Sequence, residues 1–123
     1  MVRAIAICLA AAVAVVVVFA CSAANVFQLR SPTRALALAP AHAGARASLA
    51  QQLVQAEYVE EAERFARGSL DRTPISVAAV RTLGLVAESQ GADDRALALF
   101  RLAHRMSRRD RPTEAWLLSL IHI

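Results

Sequence analysis

Shifted by 34 residues, the sequence falls on itself. Ala35 aligns with Ser69 and Ala103, Leu49 with Leu83, Ala50 with Gly84, Ala62 with Ala96, and Pro40 with Pro74, with Arg108 in the third place. A unit of this length cannot bury its own apolar face and must stack on its neighbours, so the repeat demands a modular body. Composition selects the kind of module. The chain of 123 residues is 57% hydrophobic but 5% aromatic, with four glycines and four prolines. Alanine supplies much of the apolar content, which favours closely packed helices over a sheet with many turns. The predicted fold class is all-α, with antiparallel helix pairs.

Side-chain sizes make such pairs physically reasonable. Gly84 and Ala96 lack bulk and let two helices approach, while Leu83, Leu97 and Phe100 fill the space around the contact. Between these helices SQGADD reads as a turn, with Gly91 at a helix C-terminus and Asp93 as the cap of the next helix. In the preceding unit, EYVEEAERFAR places acids early and arginines late. Glu60 with Arg64, and Glu63 with Arg67, stand at the (i, i+4) spacing that supports an exposed helix. This acidic run reads as a solvated face; nothing beside it suggests a positioned catalytic carboxylate pair.

The stretch RTLGLVAESQGADDRALALFRLAHRMSRRD, residues 81–110, resembles the tetratricopeptide-repeat family. Leu83 and Gly84 match the family's Leu-Gly pair, Ala96 and Ala103 the small positions of the second helix, and Phe100 its aromatic. Val80 and Ala87 stand where the family often has Trp and Tyr, and Arg108 replaces the closing proline. The preceding copy, 43–76, keeps Leu49, Ala62 and Pro74 but carries Ala66 in place of the aromatic. The resemblance therefore covers two helix pairs over 43–110, and RALALAPAHA at 34–43 looks like the tail of an earlier, degenerate repeat within a linker at 25–42. It implies a body that binds a protein or peptide along the concave face of stacked helices. The groove-facing positions it implies are Ala78, Arg81, Leu85, Glu88 and Ser89 in the better unit, with Gln51 and Gln55 in the weaker one.

Ahead of the repeats, residues 4–24 carry no charge and follow the basic start Met1-Val2-Arg3. About twenty apolar residues at about 1.5 Å each cross a hydrocarbon core of about 30 Å, so a retained transmembrane anchor fits by length. Ser22, Ala23 and Ala24 also read as the small residues of a signal-peptide cleavage site, and VFAC at 18–21 loosely resembles a lipobox. The length of the run favours the anchor; all three readings send the remainder across a membrane, and cleavage would release it into the periplasm. Arg3 on one side and Arg30 and Arg34 on the other barely decide orientation, which we read as placing the C-terminal part outside the cytoplasm. Both cysteines, Cys8 and Cys21, lie in this segment, so neither a disulfide framework nor a cysteine metal site is expected in the body.

The net charge of +4 is modest, and all fourteen basic residues are arginine. With the alanine content, this suggests a GC-rich bacterial genome. SRRDRPTEAWLL, residues 107–118, is similar to segments of alphaproteobacterial proteins. The arginines lack interleaved aromatics or a reading motif, so nucleic acid is not an expected partner. His42 lies in loop-like PAHAG and His104 late in a helix, with no metal-ligand spacing between histidines. Neither a phosphate-binding glycine loop nor a nucleophile elbow occurs, so no catalysis, cofactor or metal is expected.

At the end, a further helix is predicted from RPTEAWLL, where Pro112 and Thr113 signal its start and Trp116 opens an apolar face. The final six residues, LSLIHI at 118–123, match the translation of the transposase mosaic-end adapter used in sequencing libraries. The expectation is that 111–117 begin a truncated helix, that the intact gene departs at or just before Leu118, and that His122 has no role. Together these features predict a bacterial inner-membrane protein whose repeats act as a scaffold for protein–protein interaction. The alternative is the recruiting region of an envelope enzyme whose catalytic domain lies beyond this fragment.

Overall fold

The computed structural model describes residues 2–27 and 29–119, and every regular element among them is helical. Of the terminal LSLIHI run, residues 120–123 lie outside the described residues. Seven helices follow in order: α1 (Val2–Phe27), α2 (Pro32–Leu38), α3 (Ala43–Gln55), α4 (Val59–Leu70), α5 (Val77–Ser89), α6 (Asp93–Met106) and α7 (Arg111–Ser119). The 34-residue offset recurs in the helix starts: α3, α5 and α7 begin at 43, 77 and 111, and α4 and α6 at 59 and 93. Helix α3 packs on α4, α5 on α6, and α5 on both members of the preceding pair, the arrangement of a helical-repeat body.

Equivalent local devices build each unit. The turns after α3 and α5 pass through left-handed backbone at Glu57 (φ 65°) and Gly91 (φ 71°), which occupy the same place in their units. In both, the next residue's N–H reaches back to close the helix: Tyr58 N to Leu53 O and Ala92 N to Ala87 O, each at 2.9 Å. The starts of α3, α5 and α7 are also capped alike. His42 Nδ1 accepts from Ala45 N–H at 3.1 Å, Ser76 Oγ accepts from Ala79 N–H at 3.4 Å, and the Asp110 carboxylate accepts from Thr113. The first two satisfy an otherwise orphaned backbone donor; at Asp110 the donor is the Thr113 hydroxyl. Ala45, Ala79 and Thr113, one per unit, are fully buried.

Three details differ from the sequence expectation. Asp93 does not cap α6; the capping position is Ala92, and Asp93 and Asp94 lie in the first turn, where they complement the helix dipole. Of the two spaced pairs on α4, Glu63 and Arg67 meet at 2.6 Å, and Glu63 also receives Arg95 of α6 at 3.3 Å. Arg64 instead places its guanidinium 5.9 Å from the centre of the Phe65 ring, and no ion pair to Glu60 forms among the described residues. The stretch 25–42 is more ordered than a linker. With no charge, glycine or proline to stop it, α1 runs on to Phe27, and α2 folds back so that Ala24, Ala35 and Ala45 form one fully buried cluster joining α1, α2 and α3.

Helix α1 holds the one described stretch long and apolar enough to cross a membrane or serve as a signal sequence, Ile5–Phe27, 23 residues. Its side chains are exposed on all sides from Ile5 to Phe19; beyond that Ala20 and Ala23 are half-buried and Ala24 is buried against α2 and α3, while Cys21, Ser22 and residues 25–27 stay exposed.

Candidate functional site

The face made by the first helix of each unit carries the residues singled out from the resemblance. Close packing underneath fixes it. Phe100 of α6 is buried with its ring directly over Gly84, where an added Cβ would lie 2.9 Å from the ring edge. On its other side Phe100 stacks on Trp116 of α7, with ring centroids 3.8 Å apart and planes 20° from parallel. Trp116 and Leu117 thereby join the cluster of Ala87, Ala96 and Phe100, so the apolar face of α7 is spent on α5 and α6; Leu118 remains exposed.

Side chains then link successive first helices. Arg81 of α5 donates to Gln51 of α3 at 3.3 Å and to Asp110, ahead of α7, at 2.5 Å. With both partners of the ion pair largely covered, Arg81 is a clamp across three units rather than a free contact. Burial pushes the Asp110 carboxyl up, but the hydrogen bonds from Arg81 and Thr113 and the Arg81 charge outweigh it and hold the carboxyl below its ordinary value. Glu63, on the second helix of its unit, is likewise held low, chiefly by its hydrogen bond from Arg67.

The remaining expected positions separate into free and occupied ones. Gln55 and Ser89, equivalent in the two units, are exposed; the Ser89 hydroxyl donates to Val86 O of its own helix. Glu88 is exposed and accepts from the Trp116 indole N–H at 2.8 Å. Leu85 is half-buried against the Phe100 cluster, and Ala78 is half-buried with its carbonyl receiving the Thr82 hydroxyl. Gln51 and Gln55, with Ser48, Gln52 and Leu29, line a shallow depression beside the end of α1. The amide side chains here, beside the exposed Leu29, supply both donors and acceptors, the complement of a peptide backbone.

Sequence reasoning missed three participants: Asp110, Trp116 and Leu29. Asp110 and Trp116 lie about 30 residues from their partners, and no local periodicity reports such a pairing.

No protein-family model matches this chain, and no curated protein matches it.

Proposed function

We propose that this chain is a bacterial membrane-anchored protein of the tetratricopeptide-repeat kind, whose body outside the cytoplasm binds a protein or peptide along the face of α3 and α5 and catalyses nothing itself. The repeat reading rests on equivalent parts recurring every 34 residues: helix starts, the left-handed turn residues Glu57 and Gly91, and the caps His42, Ser76 and Asp110. Coincidence in one helix boundary carries little weight; recurrence of boundary, turn and cap together supports a single unit used repeatedly.

The observation that favours a retained anchor is where α1 ends. Ala24 is fully buried between α2 and α3, and Asn25 accepts a hydrogen bond at 3.0 Å from His42, whose other ring nitrogen caps α3. Cleavage after Ala24 would open a cavity in that cluster and free a new chain terminus at the His42 contact.

The binding face is tested by site-specific photo-crosslinking in the full chain, in membranes of a bacterial host. A benzophenone side chain at Gln55 or Ser89 is expected to trap the same discrete protein, and one at the exposed Arg101 of α6 to trap none. Equal trapping at all three positions, or none at any, contradicts the reading.

A further inference from the structure

The direction in which α1 enters the body fixes which edge of the body meets the membrane. A hydrocarbon core of about 30 Å takes about twenty helical residues, so a span that begins at Ile5 reaches the far surface near Ala24. Ala24 packs on Ala35, and α2 runs back along α1, so Leu38 lies beside the part of α1 about one turn before Ala24. The turn at 39–42 is therefore level with the membrane surface. Asn25 meets His42 at this height.

The other turns on that edge follow from contacts within the body. Ser69 at the end of α4 donates to Ala43 O at the start of α3, which brings the 71–76 turn beside 39–42. Arg81, in the first turns of α5, meets Asp110, which brings 107–110 alongside. The opposite edge holds the turns at 56–58 and 90–92 and the first turns of α4 and α6.

Charge divides between these edges. The edge level with the membrane has exposed Arg72, Arg108, Arg109 and Arg111, with Arg105 in the last turn of α6. Its carboxylates are Asp71 and the already paired Asp110, with Glu114 in the first turn of α7. The far edge has Glu57, Glu60, Glu61, Asp93 and Asp94, with Arg95 also in the first turn of α6 and paired to Glu63. Two apolar side chains also stand out toward the near edge: Ile75 is 80% exposed and Leu38 46%.

We propose that the edge formed by the turns at 39–42, 71–76 and 107–110 rests on the anionic headgroup surface of the bilayer that α1 crosses, a proposal that depends on the retained-anchor reading. Arg72, Arg108 and Arg109 face headgroup phosphates, while Ile75 and Leu38 enter the interfacial layer. Basic residues at an anionic surface and apolar ones beneath it are the two contributions that seat a protein on a membrane. The axes of α3 and α5 then stand away from the surface, and the face between them opens sideways along the membrane. A partner segment attached to the same membrane would meet that face without crossing the body.

The test uses the full chain with Cys8→Ala and Cys21→Ala, reconstituted in vesicles of phosphatidylcholine with about 30% phosphatidylglycerol. A fluorophore is attached through Thr73→Cys on the near edge or Gln90→Cys on the far one, and quenching is read with a headgroup spin-labelled lipid. Quenching at 73 is expected to exceed that at 90 by about threefold or more, and the ratio to fall toward one with Arg72→Glu, Arg108→Glu and Arg109→Glu combined or in about 1 M salt. Equal quenching at the two positions, or a ratio indifferent to charge reversal and salt, overturns the proposal while leaving the anchor in place. Release of the chain from vesicles by carbonate overturns the anchor reading and the orientation with it.

Discussion

The units at 43–76 and 77–110 share one frame and fill it differently. Where the first pair crosses, Ala50 faces Ala66; where the second crosses, Gly84 faces Phe100. The first unit makes up its volume from the half-buried Phe65 and Leu70, whereas the second places one large ring at the centre and cuts the opposing residue back to glycine. The outer neighbours differ in the same sense. Alanines of α1 and α2 lie against the first unit, while the aromatic Trp116 of α7 lies against the second. A repeat is therefore conserved here as backbone geometry and total volume, not as a residue pattern, since neighbouring positions exchange bulk.

The largest expected effect comes from undoing that exchange. Phe100→Ala should cost about 3–5 kcal/mol, since it empties the space over Gly84 and removes the support of Trp116. Gly84→Ala alone should also destabilise, because its Cβ would press on the ring at 2.9 Å. In the Phe100→Ala background the same change should become stabilising by about 1 kcal/mol, because it fills space, favours the helix and recreates the Ala–Ala crossing of the first unit. Unfolding of the four chains in mild detergent gives the coupling; additive effects would mean the two residues do not share one volume.

Next in size is the clamp, present only where Asp110 follows the second unit. Its carboxyl is held below the ordinary value of 3.8, so it contributes stability that is present above that value and lost as pH falls through the lower folded one. Asp110→Asn should therefore cost about 1–2 kcal/mol at neutral pH, with the deficit shrinking below about pH 4. A deficit unchanged between pH 7 and pH 2.5 would show that the charge plays no part.

The smallest pair of effects concerns the turns. Gly91 suits its left-handed backbone and Glu57 does not, so Gly91→Ala should cost about 1 kcal/mol and Glu57→Gly gain up to about 1. Melting temperatures moving in opposite directions would sharpen the equivalence of the turns. A shared direction would break it.

These contrasts mark what the sequence could and could not announce. The offset of 34 predicted the helix starts, Gly91 its turn, and the uncharged run its long helix, because each is written in local composition. Glu57 gave no sign of a left-handed turn, since only its place opposite Gly91 explains it. His42 read as a loop residue because capping by histidine depends on ring orientation, and Asp93 read as a cap one residue too late. Ala24, Ala35 and Ala45 were invisible as a cluster, for alanine carries no signal of which face it buries. On the candidate face, the positions at Gln51, Gln55, Arg81 and Glu88 were readable from the repeat, but that Arg81 is tied into Gln51 and Asp110, and Glu88 to Trp116, depends on contacts between units.

The central claim is that α1 is part of the body it tethers, completing the inner side of the first unit as α7 does for the second. The direct measurement is the intact mass and N-terminal sequence of the chain recovered from carbonate-washed membranes of an expressing bacterial host. The account predicts a membrane-retained chain still carrying residues 5–24. A chain beginning at Asn25 and recovered in the soluble fraction would contradict it, because the body would then stand without Ala24 and the helix that presents it.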